Sequence, residues 1–221
     1  MKEGFLYLML AVTLFSCGNQ PKEEVTVPTV QKLPFLGEPQ YEYTEKNGVT
    51  IVDTIQHTIP PFSFTDQDGQ TVTEKTVTGK IYVADFFFTT CPSICPIMTG
   101  NLKTVQDEFK DNQNIMILSH SIDPDHDTPQ VLKKFATDLG VEGNQWQFLT
   151  GEKEKIYEIG QKNYLSTAKE DKTADGGYIH SGAFILVDKE KHVRGMYDGT
   201  TEEGTQKLIA DIKTLLDEYK Q

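Results

Sequence analysis

Positive charge is scarce in this chain: Lys and Arg number 21 against 33 Asp and Glu, for a formal net charge of -12. Without a basic patch nothing releases counterions from phosphates, which argues against a nucleic-acid partner. The same deficit works against adsorption to anionic lipid. The apolar run Phe5 to Phe15 is too short to cross a bilayer as a helix. Cysteine is limited to Cys17, Cys91 and Cys95, and a bridge across the close pair would remove little chain entropy. Arginine is limited to Arg194. Neither paired cysteine therefore has the arginine-supported surroundings that would favour a peroxiredoxin-like peroxidase. No segment repeats. What remains is an ordinary globular composition, enough for one good-sized domain plus extra segments.

The N-terminus reads as an export signal. Phe5 to Phe15 has the length of a signal-peptide apolar region, and Leu14-Phe15-Ser16-Cys17, followed by Gly18-Asn19, resembles a bacterial lipobox. Residues 1–17 are then a lipoprotein signal peptide, and Cys17 is acylated and anchors the chain to a membrane on its extracytoplasmic side. The other reading is an uncleaved hydrophobic tail, which also exports the domain. Residues 18–40, with Pro21, Pro28 and Pro34 among Lys, Glu, Thr and Gln, are expected to form an extended tether. Residues 41–221 form the folded domain. With Cys17 given to lipid, Cys91 and Cys95 are left as one pair. In an oxidising compartment such a pair is a disulfide, a redox couple or a metal site.

Short strands are expected at Gly48–Val52, His57–Ile59 and Phe62–Phe64, with Asp66-Gln-Asp-Gly69 as a hairpin turn. Ile81 to Phe88, IYVADFFF, is a near-continuous apolar run, as in a strand buried on both faces. Met98, Leu102, Val105 and Phe109 then recur at helical spacing. Ile115–Ile122 is the next strand. Val131, Leu132, Phe135, Ala136 and Leu139 mark a second helix, with Asp127-Thr128 as cap candidates and Pro129 just inside. A short strand at Gln147–Thr150 and a helix from Glu152 to about Tyr164 follow. Ala183–Asp188 and His192–Tyr197 are strands, and Leu208 to Leu216 a closing helix. The order β-α-β-α-β-α-β-β-α predicts an α/β domain with helices covering a mixed sheet.

The chemistry sits in Asp85-Phe-Phe-Phe-Thr-Thr-Cys91-Pro-Ser-Ile-Cys95-Pro96. A buried strand presents two cysteines where a helix begins, a place that favours the thiolate. A C-x-x-C pair is the usual oxidoreductase arrangement. Here three residues intervene, and a spacing of four along a helix would put both sulfurs on one face. Two thiolates suit Cu(I) or Zn(II), with a third ligand from elsewhere. Among the histidines, His192 reads as solvated, His57 as unremarkable, His126 as part of an exposed acidic loop, and His120 as a satisfied core or sheet-end residue. His180, in Gly176-Gly-Tyr-Ile-His-Ser-Gly182 directly before a strand, is the candidate ligand. Asp123-x-Asp125-x-Asp127 fails as a calcium loop, because Thr128 and Lys134 stand where glycine and glutamate are required.

Three motifs in order, T-x-C-P-x-x-C-P, S-x-D-P-x-x-D-T-P (Ser121 to Pro129) and H-S-x-x-F-x-x-x-D (His180 to Asp188), resemble the Sco/SenC family from about Phe62 to the C-terminus. The resemblance implies a thioredoxin-like fold with an N-terminal extension or hairpin and an insertion before the last two strands. It implies a copper metallochaperone that helps to assemble the CuA centre of cytochrome c oxidase, its partner being oxidase subunit II or a similar copper protein. The implied metal ligands are Cys91, Cys95 and His180, for copper as Cu(I), with Cu(II) as the other oxidation state. Asp123 and Asp127 match the acidic motif near the site, as supports of the ligands or a docking point. No small-molecule substrate is expected. The alternative is an extracytoplasmic thiol–disulfide oxidoreductase reducing a metalloprotein target, with Cys91 attacking and Cys95 resolving.

Overall fold

The computed structural model describes residues 32–220, the side chain of residue 175 excepted. The expected signal peptide, Cys17 as the expected lipid site and the first part of the expected tether lie outside the described residues. In chain order the elements are β1 (Gln40–Lys46), β2 (Val49–Ile55), β3 (Ser63–Asp66), β4 (Thr71–Thr73), β5 (Ile81–Phe87), α1 (Cys95–Phe109), β6 (Ile115–Ser121) and α2 (Pro129–Asp138). There follow β7 (Trp146–Thr150), α3 (Lys153–Glu158), β8 (Ala168–Glu170), β9 (Tyr178–His180), β10 (Ala183–Val187), β11 (Val193–Asp198) and α4 (Glu202–Glu218). A π-helical turn, Ile159–Asn163, extends α3.

Seven strands form one mixed sheet in the order β11-β10-β5-β6-β7-β3-β4. Strands β5, β6 and β7 are parallel, whereas β10 and β3 flank them antiparallel. Successive crossovers β5-α1-β6 and β6-α2-β7 move the same way across the sheet, so right-handedness puts α1 and α2 on one face. Helix α4 joins α1 there, and α3 covers the other face, where Phe86 packs on Tyr164 and against Gly160. With both faces covered, every residue of β5 is buried, as its apolar run requires. Alternation along β5 turns Asp85 and Phe87 toward α1 and α2, where Phe87 meets Phe135 at 5.5 Å. The carboxyl ends of β5 and β6 open beside the start of α1, the usual place for a site in an α/β sheet.

Two expectations need correction. His57–Ile59 is not a strand; the segment runs into Pro60-Pro61, which cannot donate to a ladder. The tether expected over 18–40 is docked at its far end. Leu36 bridges Val193, and buried Arg194 donates to the carbonyls of Leu33 (2.6 Å) and Pro34 (3.1 Å). The same guanidinium pairs with Asp188 (3.0 Å) and Glu218 (2.9 Å), both almost fully buried. This clamp sits where β10 turns into β11, at the amino-terminal end of β5 and so at the opposite end of the sheet from the cysteines.

Arg194→Ala takes the guanidinium from two mostly buried carboxylates, Asp188 and Glu218, which costs about 3–5 kcal/mol. The expected result is a melting temperature lower by on the order of 10 °C, read by circular dichroism. An unchanged melting temperature would refute the clamp.

Candidate metal centre

The cysteines do not share a helix, contrary to the i, i+4 expectation. Pro92 disfavours the α conformation at Cys91, so α1 begins only at Cys95, with Pro96 in its first turn. A bend over Pro92–Ile94 brings the two sulfurs together instead. Both cysteines are free thiols, Cys91 8% and Cys95 3% exposed. His180 arrives on β9, part of a separate two-stranded arm (β8–β9) outside the main sheet. Its Nε2 lies 3.2 Å from the Cys95 sulfur. Its Nδ1–H donates to the Ser181 carbonyl at 3.2 Å, the tautomer that leaves the Nε2 lone pair for the site. The ligand atoms of Cys91, Cys95 and His180 all lie within 4.8 Å of one another. Cys91 and His180 open into a cavity of about 210 Å³ lined also by Phe88, Ser93, Ile94, Tyr178 and Ile179. A larger cavity, about 470 Å³, lies between Pro60–Phe64 and α3 with its π turn, and holds no thiol or imidazole.

The environment divides the sulfurs. Burial alone would raise the Cys91 pKa, but hydrogen bonds from Ser93 and Cys95 outweigh it and hold this thiol below its ordinary value. Burial pushes the Cys95 thiol well up, and the charges of Cys91 and Asp85 add to the rise. Burial lowers the pKa of His180 and so favours the neutral, ligating imidazole. Asp85, on the sheet face under α1 and α2, accepts from Ser119 (2.5 Å), which accepts in turn from the Trp146 indole (2.8 Å). Its second oxygen has no partner among the described residues, and burial pushes its pKa to about 7.

Asp123 and Asp127 join no metal cluster with the sulfurs; they tie the ligand-bearing segments together. Asp127, fully buried, accepts from the Thr89 amide (3.1 Å), the Thr89 hydroxyl and the Ser121 hydroxyl (2.6 Å). It thereby holds the cysteine loop, while Thr128 caps α2. Asp123 accepts from the Tyr178 hydroxyl at 2.7 Å and so holds the arm that carries His180. Tyr178, Thr89 and Gly176 stand in the motifs around the ligands, but sequence reasoning assigned them no role. The signal for Tyr178 was its place two residues before His180, on the same side of a strand. Gly176, at φ 75°, approaches the Phe88 ring and Pro92 so closely that a Cβ would lie 2.9 Å from the ring.

The other histidines sort differently. His120 is fully buried among Phe64, Phe86 and Tyr164, and its nitrogens have no partner among the described residues. It is a core residue, though not a hydrogen-bonded one. His57 bonds the Asn163 carbonyl (2.8 Å), and His126 is exposed. His192 is not simply solvated: it lies 3.3 Å from Asp188 and edge-on to Phe35. Asp188, Glu190 and His192 also cluster, but Arg194 already occupies the Asp188 carboxylate.

Residues 52–217 match the SCO1/SenC family. A solved SCO1/SenC family lipoprotein of Bacillus anthracis is 33% identical, with a TM-score of 0.67 over 72% of this chain and 95% of its own. BsSco, described as a member of the Sco family of cytochrome c oxidase assembly proteins and as carrying a disulfide switch, is 34% identical, with a TM-score of 0.64 over 72% and 93%. Arabidopsis thaliana ScoI, solved with copper bound, is 27% identical, with a TM-score of 0.60 over 72% and 98%.

The raised pKa of Asp85 makes a pH-dependent stability. The folded state keeps this proton longer than the unfolded chain, so stability falls as pH rises from about 4 to about 7, by roughly a few kcal/mol. In urea titrations of the reduced protein, Asp85→Asn should match the native protein at about pH 4 and exceed it at about pH 8. Equal stabilities at both would contradict the assignment.

Proposed function

The chain belongs to the SCO1/SenC family, and we propose that it is a copper carrier which binds one ion through Cys91, Cys95 and His180 and serves assembly of the CuA centre of cytochrome c oxidase. The observation that carries this reading is the convergence of two sulfurs and a neutral imidazole, from elements 85 residues apart, within 4.8 Å. Sulfur and imidazole donors without a carboxylate are a soft set that suits Cu(I). Both thiols give up their protons when an ion binds. Cys91 is already disposed to do so, whereas Cys95, raised by burial, releases its proton to solvent as the metal takes its place on the sulfur. Oxidation to a Cys91–Cys95 disulfide removes two electrons and two protons and with them both sulfur ligands, so copper loading and redox state are coupled. In this reading Asp123 and Asp127 support the ligands, and an acylated Cys17 fixes the domain at the outer face of a membrane. The lipoprotein of Bacillus anthracis supports the anchor. The recipient is oxidase subunit II or a similar copper protein.

A second reading, thiol–disulfide exchange on such a partner, is favoured by the asymmetry of the pair. The lower thiol, Cys91, would attack and the deeper Cys95 would resolve the mixed disulfide.

The protein is reduced, loaded anaerobically with Cu(I) in the presence of a competing chelator, and assayed for bound copper. The carrier predicts one copper per chain, none in Cys91→Ala or Cys95→Ala, and weaker retention in His180→Ala. No retained copper, with rapid reduction of a disulfide substrate, would transfer the assignment to exchange chemistry.

A further inference from the structure

The sulfurs and the imidazole are held in unequal ways. Cys91 lies in the turn that follows β5 and Cys95 begins α1, and both side chains are part of the packed core. His180 sits on β9, whose three residues pair only with the three of β8. Ala168 is buried at the arm's base, where the Ser166 amide bonds the Gly160 carbonyl (2.9 Å). Phe88 packs against Gly176 and edge-on to the His180 ring at 5.9 Å. Among the described residues, the polar ties between the arm and the body are otherwise these. Near its base, Gln161 donates to the Ala168 carbonyl (2.6 Å), and the hydroxyls of Ser166 and Ser181 meet at 2.6 Å. Farther out, Lys153 reaches Glu170 at 3.1 Å. Beside the histidine itself, the hydroxyl of Tyr178 donates to Asp123 at 2.7 Å. The Tyr178 ring rests against Phe88 at 5.1 Å, and Lys153 lies over it at 5.6 Å.

Asp123 is joined to the cysteine side as well. The Asp127 amide donates to the Asp123 carbonyl (2.8 Å), and the Asp127 carboxylate grips Thr89, two residues before Cys91. The links form a closed loop from Cys91 through Thr89, Asp127, Asp123 and Tyr178 to His180. The loop is closed by the His180–Cys95 contact itself, and every other link but one is a backbone connection or a bond between segments of the core. The exception is the hydrogen bond from Tyr178 to Asp123.

We propose that this hydrogen bond is a latch, with Tyr178 as the positioning residue that holds His180 against Cys95. Made, it keeps all three donors on the ion. Broken, it lets the arm swing on its base, leaving copper on the two thiolates with a position open to a ligand of the recipient. The inference rests on the copper-carrier reading and adds to it the step at which the ion is let go. Tyr178 acts through His180 and touches no ion itself.

Tyr178→Phe tests the latch, because it keeps the ring against Phe88 and removes only the hydroxyl. The variant should still bind one copper per chain, but lose it to excess chelator about ten-fold faster or more, the factor set by losing a hydrogen bond to a charged group. The ¹⁵N signal of His180 in the copper-loaded protein should move toward that of a free imidazole. Asp123→Ala should reproduce both effects and add nothing to Tyr178→Phe in the double variant. Asp123→Asn, which keeps an acceptor, should restore slow release. In the metal-free protein the amides of residues 168–180 should exchange faster in Tyr178→Phe, a readout independent of copper. Wild-type release, an unmoved His180 signal and unchanged exchange would overturn the latch while leaving the copper reading intact. A native protein that takes up no copper would instead sink the copper reading and, with it, the latch as a copper gate. Should Tyr178→Phe fail to fold, the two Asp123 variants decide alone: equal release rates for both would refute the proposal.

Discussion

The structure depends on holding an imidazole 3.2 Å from a thiol that lies 85 residues away in the chain. Neither group can reach the other by local structure. Cys95 is fixed because β5 is buried on both faces and passes directly into the α1 turn, so its position inherits the rigidity of the sheet. His180 has no such foundation. It is brought in by a short arm, kept close by Gly176 where the arm crosses Phe88, and tied down by the acidic loop between β6 and α2. That loop is the common reference: Asp127 faces one ligand segment and Asp123 the other. A site assembled from one rigid and one suspended element can be complete and still able to open, which a carrier of metal requires.

The electrostatics follow the same division. Cys91 lies nearer the surface among hydrogen-bond donors, and Cys95 lies deeper, above the partly unsatisfied carboxyl of Asp85. A thiol that is costly to ionise when empty gains more from a cation that replaces its proton. The imidazole, kept neutral by burial, brings no competing positive charge. Metal binding and disulfide formation each remove the thiol proton that burial keeps on Cys95. These are the two chemistries open to the pair, and the histidine distinguishes them because only a metal uses it.

Much of this was legible in the sequence. Periodicity marked β5 and the helices because they face a core on one or both sides. The motifs around Cys91, Cys95 and His180 named these three as candidates, and the structure brings their ligand atoms within 4.8 Å of one another. The parts that escaped had no core to announce them. Strand β1, QYEYTEK, is exposed along its whole length, so burial left no alternation to read; its signal was the Asn47-Gly48 turn, where both residues have positive φ. Cys91 looked helical by spacing, but Pro92 decides its backbone. The three-residue strands of the arm are too short for any period, and the role of Tyr178 exists only once Asp123 is placed beside it. Arg194, notable in the sequence only as the sole arginine, proves to clamp the end of the tether to α4 and to the β10–β11 turn.

The most direct test of the account is X-ray absorption at the copper edge on the reduced, Cu(I)-loaded protein, with His180→Ala as comparison. The account predicts a shell of two sulfurs and one imidazole nitrogen in the native protein, and loss of the nitrogen alone in the variant. A shell of oxygen and nitrogen donors without sulfur, or an imidazole that persists without His180, would contradict it.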